Sequence, residues 1–201
     1  MIKKAILTAS FVFITAGVSF AAGAHDGMQC KGCHSLHYAK GAIIAEVAPN
    51  PKAMPEGASR SPKSVSAFCL GCHADADKGG MGILPISAHT THPFGSRVNS
   101  KVANVPEGLL RDGVMECVSC HDPHPSNPNY KYLRVDTGKD GSNMAAFCDM
   151  CHPAKADKSI NRGALKVFNS MDEVSGPKNT PVSDLSGAAS APVPAAAPAK
   201  K

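Results

Sequence analysis

The chain has 201 residues, with 21 Lys and Arg against 16 Asp and Glu, a formal charge of +5. It has no Trp, three Tyr and seven Phe, and it carries 18 Gly and 16 Pro, a composition that does not build an ordinary apolar core. The positive charge is not gathered into a basic stripe with interleaved aromatics, so the chain is not read as a nucleic-acid-binding module.

In chain order, Lys3 and Lys4 precede an uncharged, mostly apolar run from Ala5 to about Ala22. This is the pattern of a secretory signal peptide, residues 1–24, with cleavage after Ala21 or Ala24. Left in place, the run is long enough for a marginal membrane anchor, but its Ser, Thr and Gly content and its small-residue cleavage sites favour removal. No cysteine lies at the cleavage point, as a lipoprotein would need, and no later segment is hydrophobic enough to span a membrane.

The segment Cys30-Lys31-Gly32-Cys33-His34 follows, and its pattern returns three times. The copies are Cys69-Leu70-Gly71-Cys72-His73, Cys117-Val118-Ser119-Cys120-His121 and Cys148-Asp149-Met150-Cys151-His152, which use all eight cysteines. C-x-x-C-H is the attachment signature of c-type haem: two thiols add to the porphyrin vinyl groups and the adjacent histidine becomes the proximal iron ligand. A disulfide framework does not explain a histidine after every pair. Zinc ribbons would consume the cysteines two pairs to an ion and leave four fixed histidines without a role. A dithiol redox motif is expected once. Four covalent c-type haems are therefore expected, and export agrees with this cysteine usage.

Between the motifs, residues 48–62 hold four prolines and read as a loop. Helices are expected over Ser64–His73 and Ser142–His152, with Ser64 and Ser142 as caps, and more weakly over Val102–Arg111. No histidine follows His152. The chain is Pro-, Ala- and Ser-rich toward its end, and a disordered tail is expected from about residue 176.

The chain also repeats itself. Cys33-His34-Ser35-Leu36-His37 matches Cys120-His121-Asp122-Pro123-His124, and Ala67-Phe68-Cys69 matches Ala146-Phe147-Cys148. The expected organisation is a di-haem repeat over 26–96, a connector over 97–111, a second di-haem repeat over 112–160 and a C-terminal extension over 161–201. The fold class that follows is mostly irregular, with short α-helices around a haem core.

Nine histidines serve eight axial positions. Four of them, His34, His73, His121 and His152, are proximal. His37, His124, His92, His25 and His89 remain as distal candidates, with methionine a less favoured alternative. His37 lies three residues after His34, and His124 three after His121. So short a connection does not pass around a porphyrin, so each should ligate a haem other than that of its own motif. Three residues span at most about 10 Å, which bounds the linked irons at roughly 20 Å. Pro93 biases His92 toward an extended backbone suited to a loop ligand. His25 and His89 compete for the last place.

The stretch from Cys117 to His152, with Tyr132-Leu133-Arg134 between its two motifs, resembles the doubled C-x-x-C-H family of multihaem cytochromes, and the likeness extends over roughly 26–160. Thr91-His92-Pro93-Phe94-Gly95 is similar to the His-Pro stretch that follows a motif pair in such proteins. The resemblance implies a periplasmic or extracellular electron carrier, in anaerobic or metal respiration, that exchanges electrons with redox partner proteins or extracellular acceptors. Two alternatives stand beside it: a subunit that self-assembles into a haem-stacked filament, and a multihaem reductase. Enzyme activity is not expected, because saturated irons leave no open position for a substrate.

Overall fold

In a computed structural model of the protein, the described residues are 25–40, 44–86, 92–155, 159–171 and 178–186. The expected signal region, His89 and residues 187–201 lie outside them. Three short α-helices are present: α1 (Val65–His73), α2 (Cys117–Cys120) and α3 (Met144–Cys151). Two antiparallel pairs accompany them, β1 (Ser96–Arg97) with β2 (Val114–Met115), and β3 (Lys166–Asn169) with β4 (Lys178–Pro181). Most of the remainder is turn, 3₁₀ turn and loop. The expectation of a small, loop-dominated protein with few short helices holds.

The capping chemistry explains where the helices start. Ser64 is extended, and its hydroxyl accepts the Ala67 N–H at 3.3 Å, which fixes the start of α1 as expected. The second expected helix begins later than its cap: Asn143 is the N-cap residue of α3, with no side-chain bond, while the Ser142 N–H is taken by Asp140 Oδ1 at 3.1 Å. The weaker helix over Val102–Arg111 does not form. Pro106 lacks the N–H that a continuous helix would use there, and only a 3₁₀ turn at Glu107–Leu109 follows it.

Two small apolar clusters divide the packing. Met54, Ala67, Leu70 and Ala74 gather around α1, with Phe94 and Ile86 against them. Leu109, Val135, Met150, Val167, Val182 and Leu185 gather around α3 and the β3–β4 pair. Fifteen hydrophobic side chains are buried among the described residues, and four of these are alanines, so the polypeptide supplies little core of its own.

The C-terminal segment corrects one expectation. Residues 178–186 are not a tail: β4 pairs with β3 from Lys166↔Pro181 to Asn169↔Lys178, and Val182 and Leu185 are buried. Polar composition hid two well-placed apolar residues, and these, with the ladder, attach the segment. The hairpin is in turn joined to the second pair of motifs through Phe168 N–H, which donates to Arg134 O at 2.7 Å, and a bridge between Val135 and Val167.

Candidate cofactor sites

Each C-x-x-C-H forms a helical turn. The His34, His121 and His152 N–H groups donate to the carbonyls of Cys30, Cys117 and Cys148 at 2.8, 3.0 and 2.9 Å, and His73 closes α1. One turn brings residues three and four apart onto one face, so both thiols and the histidine of a motif can meet one planar group. All eight cysteines are free thiols, exposed or half-buried. Burial pushes the Cys120 thiol up to about 11, with Cys117 adding to the rise and Arg134 opposing it.

The chain after the first and third motifs folds back over them in the same way. Ser35 N–H donates to Ile44 O at 2.6 Å, and Asp122 N–H to Tyr132 O at 2.8 Å. Glu46 N–H reaches Cys33 O at 2.9 Å, and Arg134 N–H reaches Cys120 O at the same distance. His34 bridges Ala45, and His121 bridges Leu133. Ile44 and Tyr132 take the same left-handed backbone, φ 50° and 56°. Ile is a β-branched residue that rarely adopts it, so the matching conformation belongs to the fold-back and not to local preference.

Two of the proximal candidates are held by their Nδ1 atoms. His73 Nδ1 lies 2.7 Å from Ile83 O, and His121 Nδ1 lies 3.0 Å from Lys131 O, ten residues on in both cases. A carbonyl accepts only from a protonated ring nitrogen. This fixes the tautomer and leaves Nε2 with a lone pair for a metal.

Distant histidines meet two motif histidines. The rings of His25 and His73 have centroids 5.8 Å apart, and those of His92 and His152 are 6.4 Å apart. Metal–imidazole bonds are ~2 Å long, and adding about 1 Å from nitrogen to ring centre on each side puts two trans rings roughly 6 Å apart. Both pairs fit that spacing. The His25 ring also stacks on Tyr132, with centroids 5.1 Å apart, and its buried Nδ1 has no hydrogen-bond partner. Burial lowers the pKa of His25 and the neighbouring His73 lowers it further, against the Pro123 carbonyl and Asp26, which raise it. The Tyr132 hydroxyl accepts the His25 backbone N–H at 3.1 Å and donates to Asp26 at 3.0 Å, which ties the chain before the first motif to the segment after the third. Three residues after His92, Gly95 packs closely against the first apolar cluster: its φ is +73°, and a Cβ there would run into Met54 Cε and lie 2.9 Å from Ala58 Cβ.

His37 and His124 are placed differently. His37 is exposed, edge-on to Tyr38. His124 is half-buried, with Nδ1 at 3.0 Å from Asp122 Oδ1 and 3.1 Å from Ser170 Oγ. Among the described residues neither ring meets that of a motif histidine. Asp122 is fully buried, and Ser170 N–H and Oγ–H also donate to it. Burial alone would raise its pKa, but the bonds from His124 and Ser170 outweigh burial and hold it below the usual carboxylate range; the carboxylate in turn raises His124. This cluster was missed from sequence, because Ser170 lies 48 residues from Asp122 in no motif.

The residues present fit a haem. Apolar side chains stand exposed beside the motifs, among them Leu36, Tyr38, Ile83 and Leu84, as the flat apolar faces of a macrocycle require. Among the described residues no three His, Cys, Asp or Glu side chains converge as a zinc ribbon needs.

Thiol pairs on helical turns with an oriented histidine define a c-type haem attachment site. The family model for the doubled CXXCH motif matches residues 110–157 and so spans the third and fourth motifs. This supports a c-type-cytochrome-like multihaem family and indicates covalently bound haem. No curated protein and no solved structure matches the chain. Among the described residues no helix is long and apolar enough to cross a membrane.

Proposed function

We propose that the protein is an exported tetrahaem c-type cytochrome, periplasmic or extracellular, that carries electrons through six-coordinate, bis-histidine haems and makes or breaks no bond of a substrate. The match to the doubled CXXCH motif supports electron transfer by covalently bound haem. The observation that carries the finer reading is the pair of histidine contacts at trans-ligand spacing, His25 with His73 and His92 with His152. When bound, haem supplies reversible one-electron iron chemistry. The chain anchors it through Cys30/Cys33, Cys69/Cys72, Cys117/Cys120 and Cys148/Cys151, and orients the proximal rings of His73 and His121 through backbone carbonyls.

The two pairs share a logic that supports a two-unit organisation. In each, the histidine of the closing motif meets a histidine that precedes the opening motif, which groups His92 with the second unit. His37, His124 and His89 then remain for the irons of His34 and His121. The three-residue spacing crosses the first two, giving His37 to the haem of His121 and His124 to the haem of His34. The proximity of His92 to His152 supports a distal ligand supplied within the chain, in place of one from a neighbouring subunit.

The test is the spin state of the holoprotein together with carbon monoxide addition to its reduced form. The reading predicts low-spin haems in both oxidation states and no carbon monoxide adduct. A persistent high-spin haem in intact protein would overturn it in favour of a reductase with an open iron.

A further inference from the structure

Glu116 joins the helices that carry the second and third motifs. It is the buried N-cap residue of α2, where its side chain and that of Ser119 close a capping box, with Ser119 Oγ accepting the Glu116 N–H at 2.9 Å. The same carboxylate crosses to α1. It accepts the Ser64 hydroxyl at 2.8 and 3.0 Å and the Ser66 N–H at 2.9 Å. Ser66 returns the connection, its hydroxyl accepting the Cys117 N–H at 2.9 Å. One carboxylate therefore satisfies first-turn N–H donors of both helices, where negative charge is favoured. The first cysteine of α2 is in turn tied to the first turn of α1.

This junction sits at the attachment points themselves. Ser66 lies three residues before Cys69, the first cysteine of the second motif, and its hydroxyl holds the N–H of Cys117, the first cysteine of the third. The Glu116 carboxylate and the Ser66 hydroxyl together fix the starts of the two motif helices against each other.

Resting on the multihaem reading, we propose that Glu116 is a positioning residue that holds the second and third haem attachment sites side by side, and so sets the spacing between the haems they would carry. A glutamine keeps one acceptor oxygen, enough for one helix but not for both with the same geometry. An alanine releases both.

The experiment compares the full-length holoprotein with E116A, E116Q and S66A, measuring intact mass, spin state and magnetic coupling between haems by electron paramagnetic resonance. The proposal predicts that E116A keeps its haem count and low-spin spectrum but loses the coupled signal of one haem pair. E116Q should retain part of that signal, and S66A should weaken it in the same direction. A helix cap with no positioning role would lower stability and leave the coupling unchanged, so unchanged coupling in E116A and S66A overturns the proposal. If E116A does not mature, S66A decides, since it keeps the carboxylate and removes only the link to Cys117. A wild-type protein without haem on the second or third motif would overturn the multihaem reading itself, a result that intact mass separates from the other outcomes.

Discussion

At the scale of single residues, the chemistry turns on which imidazole nitrogens are free. His73 and His121 commit Nδ1 to carbonyl oxygens, and His25 keeps a buried Nδ1 without a partner. Replacing His25 with Ala is therefore expected to convert one haem to a high-spin form that binds carbon monoxide, with the haem count unchanged by mass. H92A is expected to do the same at the haem of His152. Low-spin spectra in both variants would place the distal ligands elsewhere. Asp122 has a different role. Its buried carboxylate accepts from Ser170 and His124 and links the third motif to the C-terminal segment. D122A leaves the Ser170 N–H without its partner and is expected to cost about 1–3 kcal/mol of stability, read by denaturant unfolding followed through the haem spectrum. A change within a few tenths would show that the cluster is incidental.

At the scale of elements, the motif helices were legible because their signals are local. Cysteine spacing, the Ser64 cap and the repeated Ala-Phe-Cys all act within one or two turns, and α1 and α3 lie where those signals put them. The histidine partners were legible only as a set, since ligand count says that a distal ring is needed but not which fold-back delivers it. His25 meets His73 across 48 positions of sequence through a Tyr132 stack that no pattern announces. The C-terminal hairpin was hidden for the opposite reason: a polar, Pro-containing stretch reads as solvated, while two apolar residues and a four-residue ladder attach it. Truncation separates the two cases. Ending the chain after Ser186 is expected to leave stability and spectrum intact. Ending it after Met171 removes β4, Val182 and Leu185, and is expected to cost on the order of 3 kcal/mol from lost apolar burial. Equal stability of the two truncations would return the hairpin to the tail.

At the scale of the whole molecule, two small apolar clusters, of six and four buried residues, do not offset the ordering of so many loop residues. On the proposed function, porphyrin faces supply the missing core, flanked by the exposed apolar side chains beside the motifs. Cofactor attachment and folding are then one free energy. The leaderless chain, made without haem, is expected to show no cooperative thermal transition; a cooperative transition would mean that the polypeptide folds unaided. Closely spaced irons repel each other's added charge, so reduction of the holoprotein is expected to spread over a broad range of potential. If every cysteine pair carries a haem, intact mass of the exported, fully matured protein shows a single species bearing four covalent haems on the eight cysteines. A matured chain with fewer additions, or with any cysteine pair oxidised to a disulfide, would contradict it.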